Sequence, residues 1–105
     1  MVLTRDNMTH TVETLIDTWQ WTPKDCLLHT LPLNHVHGLT YGLLTSTYAG
    51  ASTDMLPKFN AEQVWSKLLD KNDINVFMAV PTIFVQLVNL YANDPVLREK
   101  YRYIR

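Results

Sequence analysis

The sequence of 105 residues holds one cysteine, three glycines and no run of charge of either sign. A single Cys26 cannot close an internal disulfide. That excludes a stapled secreted scaffold and leaves a reducing compartment as the default. Nine Lys and Arg residues face ten Asp and Glu, so the net charge is -1. The electrostatic case for a nucleic-acid or membrane-surface binder is thereby removed. No apolar stretch approaches the roughly 20 residues that span a bilayer. Residues 1–7 are polar and lack a signal-peptide core. There is no Gly-rich phosphate loop, no Walker lysine and no Gly-x-Ser-x-Gly elbow, and no close carboxylate pair suggests hydrolytic acid–base work. The chain therefore holds no complete catalytic set. With 47% apolar and 18% charged residues it reads as a globular, soluble, intracellular-type segment rather than a disordered one.

Apolar periodicity organises what is there. Met8, Val12, Leu15, Ile16 and Trp19 recur at helical spacing, with Thr4 or Asp6 as a candidate cap. After the break at residues 22–25, the short, mostly apolar run 26–31 reads as a buried strand. Gly38 then opens a second helix to about Tyr48, closed by Gly50. Residues 51–55 form a strand. Asn60 caps a third helix, with Gln63 completing a capping-box pattern and Ala61, Val64, Trp65, Leu68 and Leu69 as its apolar face. Residues 74–80 form a third strand, Pro81 starts a fourth helix, and a last helical piece after Asn93-Asp94-Pro95 carries Val96, Leu97 and Tyr101.

This alternation predicts an α/β fold of helices and parallel strands joined by right-handed crossovers. Three parallel strands bury little by themselves, so the expectation is an incomplete domain. Trp19, Trp21 and Trp65 are expected to be core anchors, His29 a buried hydrogen-bonded histidine and His10 a solvated one.

Ligands of open α/β sheets bind beyond the carboxyl ends of the strands. Three loops qualify, at residues 32–38, 56–60 and 80–82. The first holds His35 and His37 and ends in Gly38 at a helix N-terminus, where free N–H groups favour an anion. The two histidines either line a pocket for an anionic substrate or its phosphate, or merely cap and fill the turn. A His-x-His metal site is a third option, but no cysteine or carboxylate stands at ligand spacing. Lys58 either reaches a phosphate or is solvated, and Thr82 offers a hydroxyl or a helix cap. Gln86 falls one turn into the fourth helix, facing either the pocket or a neighbouring helix.

At these loops the sequence resembles the adenylate-forming superfamily of acyl-CoA synthetases, firefly luciferase and peptide-synthetase adenylation domains. Within it the likeness is greatest to malonyl-CoA synthetases of the acyl-CoA synthetase family member 3 type. Leu31-Pro32-Leu33-Asn34-His35-Val36-His37-Gly38-Leu39 is similar to the family's Leu-Pro-hydrophobic-x-His-x-His-Gly segment. Leu56-Pro57-Lys58-Phe59-Asn60, followed by Val64-Trp65, resembles its Pro-Lys-Phe-Asp/Ser segment. The run from Asn75 to Phe84, with Val80-Pro81-Thr82 at its centre, resembles its Val-Pro-Thr-aromatic segment. The likeness covers nearly the whole chain in order and spacing.

The resemblance implies an internal part of a large N-terminal domain, residues 1–105, in an ATP-dependent acid–thiol ligase. The acid (malonate or a similar short acid) attacks the α-phosphate of ATP, with Mg²⁺ shielding charge, and the thiol of coenzyme A then displaces AMP. The histidine at position 35 would lie beside the reacting carboxylate. His37 would line the acyl pocket, Gly38 would let the backbone approach it, and Thr82 and Gln86 would contribute to binding. A mitochondrial location is implied by analogy, with the cytoplasm otherwise. Malonate-specific members carry a basic residue where this chain has Gln86, which donates hydrogen bonds but supplies no charge. The segment Thr4-Arg5-Asp6-Asn7 likewise departs from the family's Thr/Ser-His-x-Asn. A neutral fatty or aromatic acid, or a non-catalytic α/β binding module, are the alternatives. The phosphate loop, the Tyr-Gly-x-Thr-Glu motif and the catalytic lysine are not among these residues, so the chain alone is expected not to catalyse adenylation.

Overall fold

The computed structural model describes residues 3–70, 73–100 and 102. The first helix, α1 (Arg5–Trp19), starts where the Thr4 hydroxyl accepts the Asn7 N–H at 3.1 Å. It ends where Gln20 turns left-handed, at φ 55°. That turn swings Trp21 into the core and leaves Trp19 50% exposed. The expectation that Trp19 is a core anchor is therefore corrected: it is the last helical residue before the chain changes direction. Trp65 is half-buried and donates its indole N–H to the Leu87 carbonyl at 3.0 Å.

Three strands follow the predicted alternation: β1 (Cys26–His29), β2 (Ser52–Met55) and β3 (Val76–Phe77). They form one parallel sheet in the order β2-β1-β3, with Leu28 opposite Asp54 on one side and Phe77 on the other. β1 is central and buried at every position, which explains its mostly apolar sequence. The third strand is shorter than the 74–80 expected. Its partner β1 is itself only four residues long, and pairing covers Val76 and Phe77 alone. Asn75 fixes that register from the side: its Oδ1 accepts the Cys26 N–H at 2.9 Å while its amide donates to Asp25 at 2.8 Å.

The second helical segment also departs from expectation. Residues His37–Leu44 are wound as a π-helix, and only Thr45–Tyr48, α2, is α-helical. The wider coil brings the backbone of Gly38 and Gly42 down onto the sheet, and the buried Thr45 hydroxyl donates to the Thr40 carbonyl at 2.8 Å. Gly50 closes the segment at φ 75°. α3 (Ala61–Asp70) is capped as predicted by Asn60, whose side chain accepts the Gln63 N–H at 3.0 Å. α4 (Pro81–Asn93) carries its proline in the first turn, and α5 (Pro95–Lys100) starts where Asp94 accepts the Val96 and Leu97 N–H groups. Tyr101, expected in that last piece, lies outside the described residues.

The two faces of β1 are covered differently. Leu28 packs with Leu31, Val64, Ile83 and Leu87, so α3 and α4 close one face. By the two-residue alternation of a strand, Leu27 and His29 face the other way, toward the π-helical segment. Each fully buried Leu or Val side chain here contributes about 1.5–3 kcal/mol of hydrophobic free energy. The crossovers put the loops after all three strands on one edge of the sheet.

Candidate functional site

Those three loops surround a single cleft of about 550 Å³. Thr30, Leu31, Pro32 and His35 line it from beyond β1, Pro57, Lys58 and Phe59 from beyond β2, and Val80 and Ile83 from beyond β3. The cleft thus occupies the strand-end position at which open parallel sheets take ligands. Its walls are mostly apolar, with the His35 imidazole and the Lys58 ammonium among the lining side chains, while the Thr30 hydroxyl oxygen is sealed from solvent.

Gly38 makes this arrangement achievable. A Cβ at that position would meet the Pro32 carbonyl oxygen at 2.0 Å, so only glycine lets the loop at 32–38 fold back on itself. His29, 3% exposed, points its Nε2 at the Gly38 carbonyl at 2.6 Å. A carbonyl only accepts, so Nε2 carries the hydrogen. The expected buried, hydrogen-bonded histidine is thus the pin beneath the loop that carries His35. Gly42 completes the fit, because a Cβ there would sit 3.0 Å from the same imidazole nitrogen.

The remaining sequence candidates are dispersed. His37 turns away from the cleft and lies against Tyr41, with ring centroids 5.8 Å apart at 60°. It is the side chain two residues earlier, His35, that lines the cleft, because the π-helical turn begins at position 37 and rotates His37 onto its own coil. Thr82 and Gln86 are exposed and are not among the cleft-lining side chains. Thr82 does not cap α4 either. Val80 occupies the cap position and provides no side-chain hydrogen bond. His10 is exposed, as expected. Thr30, Leu31 and Ile83 line the cleft from just outside the loops singled out in the sequence, and of these Thr30 is the polar one. Its only signal was a hydroxyl at the end of an otherwise buried strand.

Among the described residues no group of three or more His, Cys, Asp or Glu side chains is placed to hold a metal ion. Outside the cleft, Asp25 accepts the Thr22 N–H at 2.8 Å and the Asn75 amide at 2.8 Å, and these bonds hold its carboxyl below the usual carboxylate range. The Tyr48 phenol donates to Glu13 at 3.1 Å, and that bond together with the negative charge raises its pKa.

The model of a family described as AMP-binding enzyme matches residues 1–103. The chain belongs to the AMP-binding enzyme family. Among curated proteins of known name it is similar to the mitochondrial malonate–CoA ligase ACSF3 of Bos taurus, with 48% identity over 90 residues, covering 84% of this chain and 15% of that protein. The malonate–CoA ligase of Arabidopsis thaliana is 33% identical over 100 residues, covering 87% of this chain and 16% of that one. Among solved structures, a malonyl-CoA ligase with methylmalonyl-CoA and AMP bound superposes with a TM-score of 0.80 at 34% identity, over 91% of this chain and 20% of that chain. The chain therefore spans about 15% of the length of the curated relatives it matches. Its α/β architecture of helices on a parallel sheet agrees with that match. Among the described residues, the cleft at the strand ends is lined by residues from beyond all three strands.

Proposed function

We propose that this chain is the acid-binding part of an ATP-dependent acid–CoA ligase, an internal portion of the large N-terminal domain. The reaction runs in two steps. The carboxylate attacks the α-phosphate of ATP to give an acyl-adenylate and pyrophosphate, and the thiol of coenzyme A then displaces AMP. The observation that carries this reading is the convergence of all three strand-end loops on the cleft lined by His35. The names of the relatives support malonate or a similar short acid as the substrate, and those of the animal relatives a mitochondrial location.

In this reading His35 stands beside the acid, where its imidazole donates to or accepts from the reacting carboxylate. The apolar walls at Pro57, Phe59 and Ile83 exclude water from the acyl chain and strengthen polar contacts within the cleft. Mg²⁺ would shield the phosphates, but the described residues offer it no ligand cluster, so none of these steps is routed through it.

One observation favours a second reading in the same superfamily. Gln86 is an uncharged amide on α4 where malonate-specific relatives are expected to carry a basic residue, which suits a neutral fatty or aromatic acid.

The test is ATP–pyrophosphate exchange. The 105-residue chain alone should give none. The same residues joined to the flanking portions of a malonate–CoA ligase relative should support exchange that depends on added acid. Exchange by the isolated chain, or a folded hybrid that fails with short and neutral acids alike, would contradict the proposal.

A further inference from the structure

The two outer strands of the sheet differ in kind. β2 is polar at Ser52, Thr53 and Asp54, and Asp54 is ion-paired with Lys67 of α3 at 2.9 Å. Polar and charged residues are how an outer strand avoids pairing with further chain. β3 has no such protection. It lies in the run Val76-Phe77-Met78-Ala79-Val80, apolar at every position, which is the composition of an interior strand of a parallel sheet. Among the described residues its only strand partner is β1.

The backbone shows which groups the free edge presents. The Asn75 N–H donates to the Cys26 carbonyl at 3.1 Å, so Asn75 faces β1. Successive peptide groups of a strand point to opposite sides, so the N–H and C=O of Val76 point away from β1. A groove of about 280 Å³ adjoins this edge, lined by Trp19, Trp21 and Asp25 together with Val76, Phe77 and Met78. On the α4 side, Phe84 meets Phe77 edge-on, with ring centroids 6.0 Å apart at 84°. Phe84 is nevertheless 47% exposed, and Val88, one turn further along α4, is 62% exposed. Apolar surface is thus left uncovered on both the groove side and the α4 side of β3.

We propose that the free edge of β3 is where the rest of the enzyme joins this chain. An extended apolar segment from outside these residues adds as a fourth strand beside β3 and pairs with the N–H and C=O of Val76. Trp19 and Trp21 flank it on one side, and Phe84 and Val88 cover it on the other. The added strand runs parallel to β3, because both existing pairings are parallel and purely parallel sheets are favoured. The segment is uncharged, because the one charged side chain of the groove, Asp25, is already held by Thr22 and Asn75. The chain spans about 15% of the length of the curated relatives it matches, so an enzyme of that kind has ample further chain to supply the strand. The proposal rests on the reading that these residues are an internal portion of a larger domain, and it adds the edge at which that domain continues.

The experiment uses the completed enzyme, in which these residues are joined to the flanking portions of a malonate–CoA ligase relative. In hydrogen exchange its Val76 amide should be protected roughly a hundredfold or more over an unfolded peptide of the same sequence, as a paired interior strand is. Val76→Pro removes the outward N–H and leaves the bonds of the neighbouring residues to β1, whereas Val76→Ala trims the side chain and keeps the N–H. The proline variant should lose roughly tenfold or more of the soluble enzyme active in ATP–pyrophosphate exchange, and the alanine variant much less. If the unaltered enzyme is active while its Val76 amide exchanges as fast as in the unfolded peptide, the edge proposal is wrong and the reading of the chain as an internal portion survives. Equal behaviour of the two variants would overturn it in the same way. Protection of Val76 that appears only in a dimer and is lost on dilution would assign the edge to a second copy, paired antiparallel about a two-fold axis, and would also overturn it. A folded, unaltered enzyme without exchange activity would remove the underlying reading and the proposal together.

Discussion

His29 and Gly38 are joined by a hydrogen bond of 2.6 Å that runs from the buried face of the central strand to the first turn of the π-helical segment. This bond decides where the loop at residues 32–38 sits, and with it the position of His35. His29→Leu removes the side-chain hydrogen bond to the Gly38 carbonyl, and the expected loss is about 0.5–1.5 kcal/mol of unfolding free energy. His29→Gln, whose amide can donate to the same carbonyl, should recover part of it. Equal losses in the two variants in chemical denaturation would mean that packing, and not the hydrogen bond, holds the turn.

The glycines on either side of that bond should differ in tolerance. At Gly38 an added Cβ meets a backbone carbonyl oxygen at 2.0 Å, which no rotamer change relieves. At Gly42 it meets the edge of the His29 ring at 3.0 Å, and a small ring movement suffices. Gly38→Ala is therefore expected to cost about 3 kcal/mol or more, and Gly42→Ala about 1 kcal/mol, within the range for overpacked sites. Urea midpoints of the two variants check the order.

Much of this architecture was legible in the sequence. Thr4, Asn60 and Pro81 announced three helix starts through chemistry local to the chain, and the mostly apolar run at 26–31 announced a buried strand. The π-helical winding was not legible, because it depends on the fit of Gly38 and Gly42 against Pro32 and His29, residues whose contacts form only in three dimensions. The same applies within the cleft. The rule for strand ends found His35 and the three loops, but the half-turn that sends His37 to Tyr41 follows from that winding. Trp19 was misread because helical periodicity cannot tell that Gln20 adopts a left-handed turn. Thr30 gave almost no signal, since a threonine at a strand end is ordinary until its hydroxyl proves unpaired.

The pH dependence of stability should carry the signature of Asp25. Its hydrogen bonds to Thr22 and Asn75 favour the charged form, so the folded pKa is below the ordinary value of 3.8. A depressed carboxyl contributes its stability above the unfolded value and loses it as pH falls through the folded one. The stability difference between the unaltered chain and Asp25→Asn should therefore be constant near neutrality and shrink below pH 3.8. A difference that persists unchanged through acid would show that Asp25 contributes no charge-dependent stability.

Position 86 tests how α4 relates to the cleft. Gln86 follows the cleft-lining Ile83 by three residues and so lies on a neighbouring part of the same helical surface. Helical side chains lean toward the N-terminus, so an arginine there extends toward the cleft at the start of α4. Gln86→Arg is expected to tighten malonate binding several-fold and to leave acetate unchanged, as isothermal titration would show. Equal effects on both acids would indicate a general charge effect without contact to the second carboxylate.

The central claim is that His35 and the cleft around it hold the acid. The most direct measurement is the rate of ATP–pyrophosphate exchange against acid concentration in the completed enzyme, with His35 and with His35→Ala. The substitution should lower exchange and raise the KM for the acid at least tenfold, the scale of one lost polar contact, while the KM for ATP stays the same. An unaltered dependence on the acid in a folded His35→Ala enzyme would contradict the claim.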